Sequence, residues 1–289
     1  MRVLYVNDVH YHGPSEPHYP KTVVTMPLFF DLLRARAAET DLLIVGGDAV
    51  NRGPARIEEL ESFRDALDAT GIPYLVVAGN HDIAPSAHFA ARYPGMEDME
   101  LVPLSETRFG RVFGERGLRH VCELAGWKGV FVSLRDDDPD GQLAWLEGAL
   151  ADGQPALVFC HYPITPARNG GFCQTWEYRR IGGIRERLLE LALAGNVRAW
   201  FCGHLHINSR VRVGQMEQIL TGALGLATCA YRILDITPAA IQITTHRLPD
   251  VPDWLADAMN PDRSQDDVHP TVESYHWGND EERDFTLAR

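Results

Sequence analysis

Apolar residues along this chain follow two alternating rhythms. Residues 3–7 form a short apolar run, Leu43, Ile44 and Val45 a second, and residues 74–78 a third. Runs of this length, bounded by Gly, Asp and Asn, read as buried strands. Between them the spacing turns helical. Leu28, Phe29, Leu32 and Leu33 share one face of residues 26–38. Ile57, Leu60, Phe63 and Leu67 share one face of residues 57–69, which Gly71 stops. The order β-α-β-α-β predicts an α/β protein with a parallel sheet and right-handed crossovers.

From 83 to 119 the pattern blurs, and an insertion over one end of the sheet is expected there. Strands follow at 120–124 and 129–134. A helix at 142–150 carries Leu143, Trp145, Leu146 and Leu150, with Asp140 as its expected cap. Residues 156–160 and 199–202 read as strands, and 184–193 as a helix between them. The loop at 164–180 holds Phe172, Trp176 and Tyr178, a cluster that suits base stacking and loop packing equally. Short strands at 209–213, 218–220, 231–236 and 241–246 have no helices between them, which predicts antiparallel pairing. This body spans 1–249. Residues 250–289 are acidic and proline-containing but keep Trp254, Tyr275, Trp277 and Phe285. Such an extension is expected to pack on the body or on a second subunit of a homo-oligomer.

Composition narrows the function. A formal charge of −13 disfavours a broad grip on nucleic acid or anionic membrane. It leaves room for a phosphate-bearing ligand where bound cations supply local positive charge. Cys122, Cys160, Cys173, Cys202 and Cys229 are scattered, with no C-x-x-C pair, so neither a disulfide framework nor a zinc ribbon is expected. No apolar run is long enough to span a membrane. No apolar signal segment follows Met1-Arg2, which makes a cytoplasmic location the expectation.

The chemistry gathers at strand ends. Asp8-x-His10, Gly47-Asp48, Gly79-Asn80-His81-Asp82, His161 and Gly203-His204-x-His206 each follow an apolar strand. In open α/β sheets the carboxyl ends of strands collect on one side, so distant residues meet there. Asp8, Asp48, His10, His161, His204, His206 and Asn80 are too many donors for one tetrahedral ion. They suit two divalent ions sharing a carboxylate, roughly 3.5–4 Å apart. Hard-to-borderline donors of this kind accept Mn, Fe, Zn, Ni or Mg. His12, His18, His88, His120, His246, His269 and His276 are assigned no chemistry; His12 and His18 could line the mouth of the site, but a surface or loop role is the expectation.

These motifs, in this order, resemble the calcineurin-like metallophosphoesterase superfamily, over residues 3 to about 246. Gly-Asn-His-Asp and the Gln142-Leu-Ala-Trp-Leu146 stretch give it the look of the cyclic-nucleotide phosphodiesterase branch. The resemblance implies a four-layer αββα sandwich of two mixed sheets with a dinuclear centre at the strand ends. Carried over by position, one metal takes Asp8, His10, Asp48 and His206. The other takes Asp48, Asn80, His161 and His204, and Asp48 bridges. His81 is then a phosphate contact and general acid. The implied activity is metal-dependent phosphoric ester hydrolysis, a phosphodiesterase in first place, with a metal-bridging hydroxide attacking phosphorus in line. The ions would be Mn, Fe or Zn, and the substrate small, phosphorylated and nucleotide-like. A nucleotide diphosphatase (ADP-ribose or CDP-alcohol type), a phosphomonoesterase and a catalytically silent scaffold are the competing readings. One departure stands out: Asn51 occupies the position where relatives often carry an aspartate that holds the histidine. Asn51 and Arg52 are the further candidates for contact with substrate phosphate, Arg52 by analogy with protein-phosphatase relatives.

Overall fold

The computed structural model describes residues 1–84, 102–136, 138–168, 183–226, 228–256 and 267–289. The insertion expected after Ile83 lies partly outside these residues, and Phe172, Trp176 and Tyr178 lie wholly outside them. Among these residues, twelve strands make two six-stranded sheets. In the first, β1 (Arg2–Val6), β2 (Leu42–Val45) and β3 (Tyr74–Val76) run parallel. β10 (Ala230–Ile236), β11 (Ala240–Arg247) and β12 (Phe285–Ala288) extend it antiparallel beyond β1. The second has the order β4 (Arg119–Leu124), β5 (Trp127–Val132), β6 (Ala156–Phe159), β7 (Val197–Cys202), β9 (Met216–Leu220), β8 (Ser209–Val213).

The period of two along each strand sorts side chains between two cores. Val3, Tyr5, Leu42, Ile44 and Leu75 of the first sheet meet Trp127, Phe131, Leu157, Phe159 and Phe201 of the second. Leu4, Val6, Leu43, Val45 and Val76 point the other way, onto α1 (Thr22–Arg36), α2 (Ile57–Asp68) and α3 (Arg108–Leu118). Val130, Val158 and Trp200 pack on α4 (Gln142–Leu150) and α5 (Arg185–Ala194). Every central strand is therefore buried on both faces, which is why these segments read as continuous apolar runs. The result is helices, sheet, sheet, helices. Between the sheets, Phe159 stacks on Phe131 (4.7 Å) and Phe201 (4.8 Å). Tyr5 from the facing sheet meets Phe159 and Phe201 edge-on. Such pairs add about 0.5–1.5 kcal/mol each beyond burial.

Four elements differ from the pattern reading. Helix α1 begins four residues before Met26 and carries Pro27 inside it, although Pro usually marks a helix start. Helix α3 falls in the stretch that read as blurred, because three glycines interrupt its apolar face and Gly114 (φ 66°) breaks its regular turn. β9 lies parallel to β7, so the expected antiparallel pairing holds for β8·β9 and β10·β11 but not throughout. Asp140 does not cap α4. The carboxylate at that helix end is Asp138, which accepts from Gln142 N (2.7 Å) and Leu143 N (2.9 Å). Asp140 instead pairs with nearly buried Arg135 and accepts from Leu104 N.

The C-terminal segment completes the fold with α6 (Asp253–Ala256), α7 (Val272–Trp277), α8 (Asp280–Arg283) and edge strand β12. Among the described residues no helix is long and apolar enough to cross a membrane.

The two carboxylates beside α4 should separate in a urea titration. Asp138→Ala removes a helix-end acceptor and should cost about 1 kcal/mol. Asp140→Ala strands a buried guanidinium and should cost more, about 3 kcal/mol. Equal losses would contradict this division of roles.

Candidate functional site

The loops after β1, β2, β3, β6 and β7 meet at one edge of the paired sheets. Their backbones are laced together. Asp8 N donates to Gly47 O, His10 N to Asp48 O, Gly203 N to His161 O, and Gly53 N to His81 O. Asp8, His10, Asp48, His204 and His206 have φ of 50°, 52°, 48°, 69° and 60°. L residues rarely adopt this left-handed conformation, and where it persists the surroundings must over-determine it. Here each loop leaves its strand and turns sharply, aiming the side chain back over the strand end. Two motif glycines permit the crowding. A Cβ at Gly79 would lie 2.2 Å from Asp48 Oδ1, and one at Gly203 would lie 2.5 Å from Asp8 Oδ2.

The donors fall into two groups, Asp8, His10 and His206 in one and Asp48, His161 and His204 in the other, each with an atom within 4.8 Å of the others; a third set, His10, Asp48 and His81, meets the same spacing and links the two. In the first group His10 Nε2 lies 3.4 Å from His206 Nε2, which lies 3.3 Å from Asp8 Oδ1. In the second, His161 Nε2 is 3.3 Å from Asp48 Oδ2. Neighbouring ligands on a cation at about 2.0–2.1 Å stand about 3–3.4 Å apart, so these spacings fit a shared ion. Asn80 is buried, and its Oδ1 accepts no hydrogen bond among the described residues. A buried amide oxygen is normally satisfied, and a cation is one way to satisfy it. The donor set therefore fits divalent metal.

Electrostatics follow from burial. Burial pulls His10 well below the usual histidine value, and the neighbouring His81 charge adds to this. Burial alone would raise Asp48, but His161 and His81 outweigh it and hold the carboxylate well below its usual range. Burial opposes charge on His161, yet Asp48 pushes it up to about 9.

His81 shares that linking set with His10 and Asp48; it is half-buried, with its ring 4.8 Å from that of His10. Its backbone N–H donates to Asp48 Oδ1 (2.8 Å). Its ring Nδ1 lies 2.9 Å from the main-chain oxygen of Asn51. The contact from position 51 to the imidazole is thus a backbone carbonyl and not the Asn51 side chain. The Asn51 side chain is buried, and neither of its polar atoms has a hydrogen-bond partner among the described residues. Arg52 is half-buried, and its backbone N–H donates to Glu59.

Two features exceed the sequence reading. Asp82, the last residue of Gly-Asn-His-Asp, accepts from Gly79 N (2.8 Å), Val50 N (2.9 Å) and Ala49 N (3.1 Å). It clamps the loop after β3 to the loop after β2, and its place in the motif was the available signal. The loop before α1 also reaches the site. Tyr19 lies 4.7 Å from His10 and 6.0 Å from His81, ring to ring, and His18 lies 6.5 Å from His81. Burial, with the His81 and Arg52 charges nearby, holds His18 below its usual value. His12 keeps a loop role, bonded to Ser15 O.

Comparison with known proteins agrees with this geometry. A family model described as "Calcineurin-like phosphoesterase" matches residues 1–208. The chain is 31% identical over 214 residues to "Glycerophosphodiester phosphodiesterase GpdQ" of Enterobacter lignolyticus, covering 71% of each chain. It is 27% identical over 182 residues to "Probable cyclic nucleotide phosphodiesterase" of Psychrobacter arcticus, covering 57% of this chain and 61% of that one. In fold it is similar to a dimetal phosphatase from Danio rerio, with TM-score 0.54 and 14% identity over 85% of this chain and 95% of that one. Together these support a phosphodiesterase, that is, a phosphoric ester hydrolase acting on a small phosphate ester. The chain belongs to the calcineurin-like phosphoesterase family.

Proposed function

We propose that this site hydrolyses small phosphodiesters with two divalent ions, Mn, Fe or Zn. The observation that carries the reading is the convergence of the two donor groups and Asn80 from five strand-end loops. Asp8, His10 and His206 would hold one ion, and Asn80, His161 and His204 the other, with Asp48 shared. When bound, such ions supply Lewis-acid polarisation of phosphoryl oxygens and lower the pKa of water. The side chains supply the rest. Asp48 anchors both halves and also fixes the His81 backbone.

His81 is the general acid in this reading. With Nδ1 donating to Asn51 O, the proton it can deliver sits on Nε2, the far side of the ring. The Asn51 carbonyl accepts from Nδ1 in both charge states, so the ring keeps its orientation through a cycle of proton transfer. His18, Tyr19 and Arg52 stand on the same side, where a leaving group departs. Arg52 is assigned a phosphate contact here. Asn51 acts through its main chain, and its buried side chain is assigned none. The named relatives favour glycerophosphodiesters first and cyclic nucleotides second as substrates, both small and the second nucleotide-like.

Leaving-group dependence tests the acid. p-Nitrophenolate departs without a proton, whereas an alkoxide needs one. His81→Ala should therefore retain metal and lower kcat about 10²–10⁴-fold on an alkyl diester, with a much smaller loss on bis-p-nitrophenyl phosphate. Equal losses on both would remove His81 from that role. Asp48→Asn should abolish turnover on both and release metal, read by elemental analysis.

Metal uptake must displace a proton from His161, because the ligand form of histidine is neutral. Below about 9 the metal-free protein keeps that proton. Zinc affinity, measured against a competing chelator, should rise about tenfold per pH unit from 6.5 to 8.5. The stability that His161 adds to the metal-free protein should run the other way. It is present in full below the usual value of 6.5 and is lost as pH rises from there through about 9. A pH-independent zinc affinity would contradict the assignment of His161.

A further inference from the structure

The two histidines His204 and His206 sit in left-handed backbone on one short loop, and something must hold that loop. On its near side Asp8 accepts from His204 N, and Thr228 Oγ1 donates to His206 O. On its far side the loop ends at Asn208, which is fully buried. All four polar groups of Asn208 are engaged. Its N–H donates to His276 O (2.8 Å), and its Nδ2 donates to Trp277 O (3.1 Å). Its Oδ1 accepts from Gly222 N (2.9 Å), and its backbone oxygen accepts from Arg168 (2.7 Å). Two of these partners belong to α7, far along the chain and beyond the family-matched residues.

Arg168 sits at the centre of this joint. Besides Asn208 O it donates to Tyr275 O and to Glu282. His269 packs into the same cluster, with Nε2 2.8 Å from Glu282 Oε2. Glu282 in turn accepts from Asn279 N through the capping box of α8. Arg168 and Glu282 are nearly excluded from solvent, with side chains 2% and 10% exposed. Arg168 follows the His161 loop, so one guanidinium ties that loop, the His204/His206 loop and the C-terminal segment together. Among the described residues, the side-chain hydrogen bonds of Arg168, Glu282 and Asn208 stay within this joint and reach none of the donor side chains, so they act on the site through the backbone they fix.

We propose that Arg168 and Glu282 are positioning residues: with Asn208 they make the C-terminal segment a strut that holds His204 and His206 in their left-handed, metal-ready geometry. The idea rests on the metal assignment made under the proposed function. Without the strut the loop relaxes toward ordinary φ values, and both histidines turn from their partners. Since His204 and His206 fall in different donor groups, both ions are affected.

The test uses the full-length, metal-free protein and cobalt(II), whose visible absorption reports both occupancy and coordination. Arg168→Met and Glu282→Gln should raise the cobalt Kd about tenfold or more and alter the band shape, as loss of outer support does at other metal sites. Asp138→Ala, remote from the loop and itself destabilising, should leave Kd and spectrum unchanged. The strut is refuted if both variants unfold cooperatively yet bind cobalt with native Kd and spectrum, or if Asp138→Ala weakens binding as much. If Arg168→Met fails to fold, Glu282→Gln alone decides, because it keeps the shape and removes only the charge. A native protein that takes up no cobalt would instead overturn the metal assignment, and the strut with it.

Discussion

Five donor-bearing residues hold a backbone conformation that costs about 1–3 kcal/mol each for a side chain with a Cβ. The sum rivals the whole net stability of an ordinary domain. Such a cost is tolerable only where the surrounding structure leaves no alternative. Here the alternatives are closed by parallel strands buried on both faces, whose ends cannot fray without opening an apolar core. The loops that leave them are bonded to one another close to the strand ends. Stable sheets are thus the condition for strained ends, and strained ends are the condition for convergent donors.

Charge obeys the same logic. The molecule carries a net −13, and an anionic substrate is repelled at long range. What matters at the site is local. Asp8 and Asp48 are buried, and without cations Asp48 leans on protonated His161. In the proposed reading a pair of divalent ions would replace that proton and leave the pocket positive against two carboxylates, which would favour a phosphodiester anion over a neutral ester. The acidic exterior and the phosphate chemistry are compatible because they act over different distances.

Much of this was legible in the sequence because it depends on period and spacing. Strand runs, amphipathic α2 and the five donor motifs are local patterns, and parallel crossovers bring their ends together by topology alone. What stayed hidden depends on three-dimensional packing. Glycines that let α3 approach its neighbours look like loop glycines in a string of letters. Asp138 and Asp140 are two residues apart, and only the direction of each carboxylate tells cap from ion pair. Left-handed φ at aspartate and histidine has no sequence marker at all. The joint around Arg168 links positions more than a hundred residues apart through the Glu282 carboxylate and the Tyr275 backbone carbonyl, and no local motif records either contact.

The hold on His81 shows how far such a backbone contact can shape chemistry. A carboxylate beside the ring would stabilise the imidazolium and so raise its pKa, making the acid more abundant but less willing to give up its proton. A carbonyl oxygen is a weaker partner for the cation and an equally good acceptor from neutral imidazole. It fixes the tautomer at similar cost in both states. Because the contact is main chain, it does not depend on which side chain occupies position 51. It depends on the turn that carries Asn51, which is fixed by the Asp82 clamp on the neighbouring amides of Ala49 and Val50. The last residue of the Gly-Asn-His-Asp motif therefore governs the orientation of its histidine from the opposite loop.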